Sequence, residues 1–111
     1  MTDCIFCRII AGEIPGDFVV QTDAVVAFRD IAPKAPVHVL VVPRLHVPNV
    51  AALAAEAPEV LAEMAAVAQQ IADGECGGEF RWIFNTGAAA GQTVFHAHGH
   101  VMNAGSLGWE A

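Results

Sequence analysis

The sequence predicts an α+β domain, a run of antiparallel strands with one long helix inserted and the helices on one face of the sheet. Three observations predict it. Short runs rich in Val, Ile and Phe recur between turn signals at residues 18–21, 24–28, 37–42 and 80–85, the pattern of strands. Val60, Met64, Val67 and Ile71, with Leu61 and Ala68 beside them, repeat at helical spacing. The segment 94–102 carries His96, His98 and His100 at every second position. In a strand, successive side chains point to opposite faces, so this spacing sets all three imidazoles on one face, about 6.5–7 Å apart per step.

Along the chain, residues 4–12 read as a short helical turn ended by Gly12, and residues 13–16 as a turn. The strands 18–21 and 24–28, split by Thr22-Asp23, form a hairpin. Pro33 and Pro36 make residues 30–36 a loop. The strand 37–42 is closed by Pro43. After Pro48-Asn49 a short turn at residues 50–54 precedes the long helix, which Pro58 opens and Gly74 stops. That helix packs in the core, and its Ala face permits close approach of a second helix across a dimer. A strand at 80–85, a Gly/Ala loop at 87–92, the histidine strand and a tail at 103–111 complete the chain. Neither repeat nor linker divides it, so residues 1–111 are one domain.

Composition narrows the function classes. Five Lys and Arg stand against twelve Asp and Glu, a net charge of −7. That balance disfavours a nucleic-acid polymer, because there is no basic stripe to release counterions. A single nucleotide remains open, since a local nest of amides and imidazoles can hold one. No apolar run reaches a membrane span and no secretory signal is visible, which reads as a cytoplasmic protein away from membranes. The apolar share of 55% exceeds the usual share and points to a deeply buried helix or an oligomer interface.

The alternating histidines are the strongest chemical signal; a chain with this many His would show such a trio by chance about once in a hundred cases. Imidazole near neutral pH serves as nucleophile, acid, base or metal ligand, so phosphoryl or metal chemistry is expected here. Glycines in the loop 87–92 let backbone N–H groups approach an anion. Thr93 can add a hydroxyl and Asn85 an amide to the same space, although both also suit ordinary strand and turn positions. His38 lies among apolar strand residues and reads as a hydrogen-bonded core residue, or as one that orients a reacting imidazole. Cys4 and Cys7 form C-x-x-C. A redox reading needs a thioredoxin-like context that is absent, and a zinc reading needs two more ligands, for which His46 and one strand histidine are available. Cys76 reads as an uninvolved thiol.

These residues resemble the histidine triad (HIT) family, in its branch of nucleotide-binding proteins, over almost the whole chain. The resemblance rests on residues 5–10 with Glu13-Ile14-Pro15, on 27–38 (AFRDIAPKAPVH), on 41–46 (VVPRLH), and on Asn85-Thr86-Gly87 with 91–100 (GQTVFHAHGH). It implies a single HIT domain with a five-stranded antiparallel sheet, one long helix and a short N-terminal helix, dimerising into a ten-stranded sheet. It implies hydrolysis of purine nucleoside phosphoramidates through a nucleotidyl-histidine on His98, with the main-chain carbonyl of His96 orienting that ring. His38, His100 and Thr93 would complete the catalytic set. Asn85, Gly91 and Gln92 would line the phosphate side, and Asp30 would accept from the ribose hydroxyls. Phe6, Ile9, Ile14, Phe28, Ile31 and Leu40 would form the slot for the base. Trp109 would reach the partner subunit's site. Cys4, Cys7, His46 and His96 would hold a structural zinc, which gives the three strand histidines three different tasks.

Gly99 stands where the family has a bulky apolar residue, and is expected to loosen its strand. Three alternatives stay open on sequence: a dinucleoside polyphosphate hydrolase, a non-catalytic nucleotide-binding or scaffold protein, and a small zinc module whose histidines are all ligands.

Overall fold

The computed structural model describes residues 4–104. Trp109 and the tail from residue 105 on lie outside the described residues, while Asn103, expected in the tail, belongs to β5. The element order is α1 (Ile5–Ile10), β1 (Phe18–Gln21), β2 (Val25–Arg29), β3 (Val37–Pro43), α2 (Val50–Glu56), α3 (Pro58–Glu75), β4 (Arg81–Ile83), a single 3-10 turn (Ala88–Ala90) and β5 (Gly99–Asn103). The strands form one sheet in the order β1-β2-β3-β5-β4, and every neighbouring pair is antiparallel. The hairpin at the front of the chain and the α+β class are therefore as the sequence predicts. Among the described residues no helix is long and apolar enough to cross a membrane.

The period-two alternation of the strands sorts the core into two halves. Val25 and Ala27 of β2, Val39 and Val41 of β3, and Val101 of β5 meet Leu53 of α2 and Met64, Val67, Ala68 and Ile71 of α3. The intervening residues Val26, Phe28, Leu40 and Val42 meet Phe6 and Ile9 of α1 on the opposite face. The expectation of helices on one face alone is thus corrected: the short α1 covers the second face. The reason is that Val26 and Phe28 of β2 and Leu40 and Val42 of β3 make the second face apolar too, and it would otherwise be left bare.

The helical region also differs in detail. Residues 50–56 are a full helix, not a turn, because Asn49 caps it by accepting from the Ala52 N–H at 2.9 Å. Pro58 opens α3 as expected, but the helix passes Gly74 and ends at Glu75. The chain reverses at Gly77 and Gly78, both at positive φ, a conformation that costs other residues about 1 kcal/mol or more.

The largest departure is at the histidines. The strand predicted at 94–102 begins only at Gly99, and residues 94–96 are bent. The missing ladder bonds go to the loop after β3. Ala97 N–H donates to the Val47 carbonyl at 2.8 Å. The Gln92 amide donates to the Pro48 and Val94 carbonyls at 2.6 and 3.0 Å and accepts from the Gly87 N–H at 2.9 Å. The even row of three rings is therefore broken, and His96 is turned away from the other two. The predicted strand 80–85 likewise shortens to Arg81–Ile83.

Gly99 is not a loose spot. Its backbone is buried, and the Trp82 indole and the Phe84 ring occupy the space a Cβ would need. Trp82 and Phe84 also pack edge to face with centroids 4.7 Å apart. Bulk contributed by β4 and the residue after it thus replaces the bulk absent at position 99. Gly99→Ala should overpack this contact and cost about 1–3 kcal/mol, read as a lower denaturant midpoint with an unchanged slope; an unchanged midpoint would show that the two rings yield freely.

Candidate active site

β3 and β5 place two of the imidazoles side by side. Leu40 pairs with His100 and Met102 with His38, so both rings project on the α1 face with centroids 5.1 Å apart. His98, at the end of the bend, lies 5.1 Å from His100. Phe6 of α1 stands edge-on to His98 at 4.9 Å and 90°, and so walls the ring in from below.

Fixed partners determine where each proton sits. The Lys34 main-chain N–H donates to His38 Nδ1 at 2.9 Å, which leaves the His38 proton on Nε2. That N–H donates to His100 Nδ1 at 2.9 Å, with Asp30 Oδ2 at 3.4 Å from the same nitrogen. His100 consequently carries its proton on Nε2. For His98 the order reverses. A carbonyl oxygen can only accept, so the 2.7 Å contact from Nδ1 to the His96 carbonyl puts the proton on Nδ1 and the lone pair on Nε2. Asp30, His38 and His100 are close enough to hold a metal ion, but a metal would need the lone pair on His38 Nε2 that the Lys34 N–H denies. Lys34, His38 and His100 form a directed hydrogen-bond chain instead, with the Asp30 carboxylate beside it.

Electrostatics keeps these rings neutral. Burial lowers the His98 pKa, against the opposing effects of the His96 carbonyl and the Asp30 charge. Burial likewise lowers His38, with Asp30 opposing and Lys34 assisting. His100 is pushed down to about 4, first by burial and then by His98 and His38, with Asp30 opposing. Neutrality is what the hydrogen-bond chain requires, since a second proton on His100 would set N–H against N–H.

His96 serves a different centre. It is fully buried, and its Nε2–H donates to the Pro43 carbonyl at 2.7 Å. The Nδ1 lone pair is thereby aimed at Cys4 Sγ (3.4 Å), Cys7 Sγ (3.5 Å) and His46 Nδ1 (3.1 Å), while Cys7 Sγ lies 3.2 Å from His46 Nδ1. All four donor atoms fall within 4.8 Å of one another. Two sulfurs, two imidazole nitrogens and a carbonyl that fixes the buried ring's tautomer suit a tetrahedral metal of the zinc type.

A cleft of about 220 Å³ opens between α1 and the sheet. Among the expected site residues Phe6, Ile9, Phe28, Asp30, Ile31, Leu40, Thr93, His98 and His100 line it. Ile31 stands on the rim at 97% exposure. Asp30 also caps its own turn, accepting from the Ala32 N–H at 2.8 Å. Five expected residues among those described are not in the lining, one of them His38, which reaches the cleft only through His100. Ile14 packs behind it against the Phe6 cluster. Asn85 donates to the Ala90 carbonyl at 2.9 Å and, with Gln92 and the positive-φ Gly91, shapes the loop before Thr93. Sequence reading missed Ile5, Pro15, Gly16, Arg29 and Val94 in the lining. Ile5 could have been found, since it lies four residues before Ile9 on the same helical face. Arg29 gave no signal, because its bidentate partner Glu75, at 3.0 and 2.7 Å, lies far away in sequence.

Comparison with known proteins adds to this geometry. A family model described as the scavenger mRNA decapping enzyme C-terminal binding domain matches residues 3–109. The chain is 44% identical over 108 residues to the purine nucleoside phosphoramidase of Escherichia coli, covering 96% of this chain and 91% of that one. Among solved structures, a HIT family hydrolase from Clostridium thermocellum superposes with a TM-score of 0.91 at 37% identity, covering 99% and 97% of the two chains. A histidine triad protein from Clostridium difficile gives 0.89 at 36% identity, covering 100% and 98%.

The proton assignment is directly measurable. Long-range nitrogen–proton correlation spectra should show His98 with its proton on Nδ1 and His100 with its proton on Nε2. His100, facing His98, His38 and Asp30, should stay neutral as pH falls and gain charge only near pH 4, because its pKa is lowered and not raised. Titration of His100 near the ordinary 6.5 would contradict the account.

Proposed function

The chain belongs to the histidine triad (HIT) family, and from that premise we propose that it is a hydrolase of purine nucleoside phosphoramidates with His98 as nucleophile. The observation that carries this reading is the 2.7 Å bond from His98 Nδ1 to the His96 carbonyl, which leaves a lone pair on Nε2 of a ring that lines the cleft. The similarity to the Escherichia coli phosphoramidase supports the choice of substrate.

Each residue then has a task. The base lies in the apolar slot of Phe6, Ile9, Phe28, Ile31 and Leu40, backed by Ile14, and Asp30 accepts from the ribose hydroxyls. His98 Nε2 attacks phosphorus; the Nε2–P bond forms and the P–N bond breaks, with its electron pair leaving on the amine. The amine takes up a proton from solvent by way of the Thr93 hydroxyl. The positive charge that develops on His98 is stabilised at Nδ1–H by the His96 carbonyl. His100 Nε2–H donates to a phosphoryl oxygen, a preorganised dipole that needs no proton transfer. His38 holds that donor in place. Water then attacks phosphorus; the P–O bond forms as the P–Nε2 bond breaks, the water's proton passes to solvent, and a nucleoside monophosphate is released with the lone pair restored to Nε2. The covalent route divides one hard displacement into two.

Zinc is the metal proposed for Cys4, Cys7, His46 and His96, where it would supply a structural cross-link between α1, the loop after β3 and the bend. Homodimerisation is proposed along β4. One feature supports it: β4 is an edge strand. An unpaired strand edge of this kind is a template for a second chain.

His98→Ala should lower kcat/KM for an adenosine phosphoramidate by about 10⁴-fold or more, while AMP affinity measured by calorimetry changes by less than about threefold. Undiminished hydrolysis would remove His98 from the mechanism, and a preference for dinucleoside polyphosphates would change the substrate class. Light scattering should give the mass of two chains; a monomer with full activity would rule out the proposed pairing.

A further inference from the structure

We propose that Cys4 and Cys7 are an oxidation site at which a hydroperoxide forms an intramolecular disulfide and thereby weakens nucleotide binding. The link to metal release rests on the metal assignment above; the thiol chemistry does not. No disulfide joins Cys4, Cys7 or Cys76 among the described residues. The sulfurs of Cys4 and Cys7 both lie within 3.5 Å of one nitrogen, His96 Nδ1, and within 4.8 Å of each other. Both cysteines are half-buried and His46 beside them is exposed, so a small oxidant reaches the pair from solvent. The thioredoxin-like context of a redox enzyme is absent, but Cys4 caps α1 and Cys7 follows within its first turn, the i, i+3 spacing at which two sulfurs can close a disulfide.

The step balances. One thiolate attacks the O–O bond of the hydroperoxide; an S–O bond forms, the O–O bond breaks, and an alcohol or water departs after taking a proton from solvent. The second thiolate attacks that sulfur; the S–S bond forms and hydroxide leaves, again protonated by solvent. Two thiols are oxidised by two electrons in all, and the peroxide is reduced.

The consequence reaches the cleft by two connections. Closing to a bond of about 2.05 Å draws both sulfurs away from their positions on His96 and His46, so only two of the four metal donors remain. Cys4 caps α1 and Cys7 lies within it, and the same helix carries Ile5, Phe6 and Ile9 into the cleft lining. His96, released on its Nδ1 side, is also the residue whose carbonyl holds His98. One cluster therefore secures both a wall of the nucleotide cleft and the nucleophile's partner.

The test uses the full chain with Cys76→Ser, reduced and supplied with zinc, and titrates it with hydrogen peroxide. Expected are a mass loss of about 2 Da with Cys4 and Cys7 joined within one peptide, release of zinc to a chromogenic chelator in step with it, and AMP binding weakened by about tenfold or more. Dithiothreitol with added zinc should restore all three. Oxidation without the Cys4–Cys7 cross-link, or a cross-linked chain that binds AMP as before, would overturn the proposal. A cross-link that weakens AMP binding in a chain that never held zinc would sustain the oxidation site and refute the metal assignment alone.

Discussion

The hydrogen bond from His98 to the carbonyl two residues earlier is the constraint on which the site depends. It is local in sequence yet set by long-range structure. The His96 carbonyl can face His98 only because residues 94–98 leave the sheet, and they leave it because their polar groups bond to the loop after β3. Gln92 is the main fastening: all the hydrogen bonds of its buried amide go to main chain on three separate segments. A side chain expected to touch phosphate instead builds the backbone that positions the chemistry.

The same bend gives the three alternating histidines different surroundings. His96 is held by Pro43 and turned toward sulfur; His98 presents a lone pair; His100 presents an N–H. Their division of labour comes from which nitrogen each ring has to spend on a neighbour, and every one of those neighbours is a main-chain group or another histidine. Asp30 contributes its charge from the edge of this set, opposing the loss of basicity that burial imposes on the rings. It does not prevail, and His98 and His100 are neutral imidazoles as a result.

Much of this was legible in the sequence. The alternating strands, the hairpin and the Pro58 helix start follow from local periodicity and backbone chemistry, and C-x-x-C with the histidine trio marked both centres. Local patterns could not show where the histidine strand would begin, because the competing bonds come from residues 47 and 48. Nor could they place α1 on the second face, since the apolar run Val39–Val42 gives no preferred side. The role of Trp82 was hidden for a similar reason: nothing in residues 80–85 announces that an indole will cover Gly99. The protons on His38 and His100 were hidden too, because they depend on a Lys34 N–H whose direction only the folded loop defines.

The central claim is that His98 Nε2 forms a bond to phosphorus. Rapid quenching of a turnover reaction into base, followed by peptide mass mapping and phosphorus–nitrogen NMR, tests it most directly. The account predicts a nucleotidyl adduct that forms and decays within turnover and sits on Nε2 of His98. An adduct on His100 or on His96, or single-turnover kinetics with no adduct at any time, would contradict it.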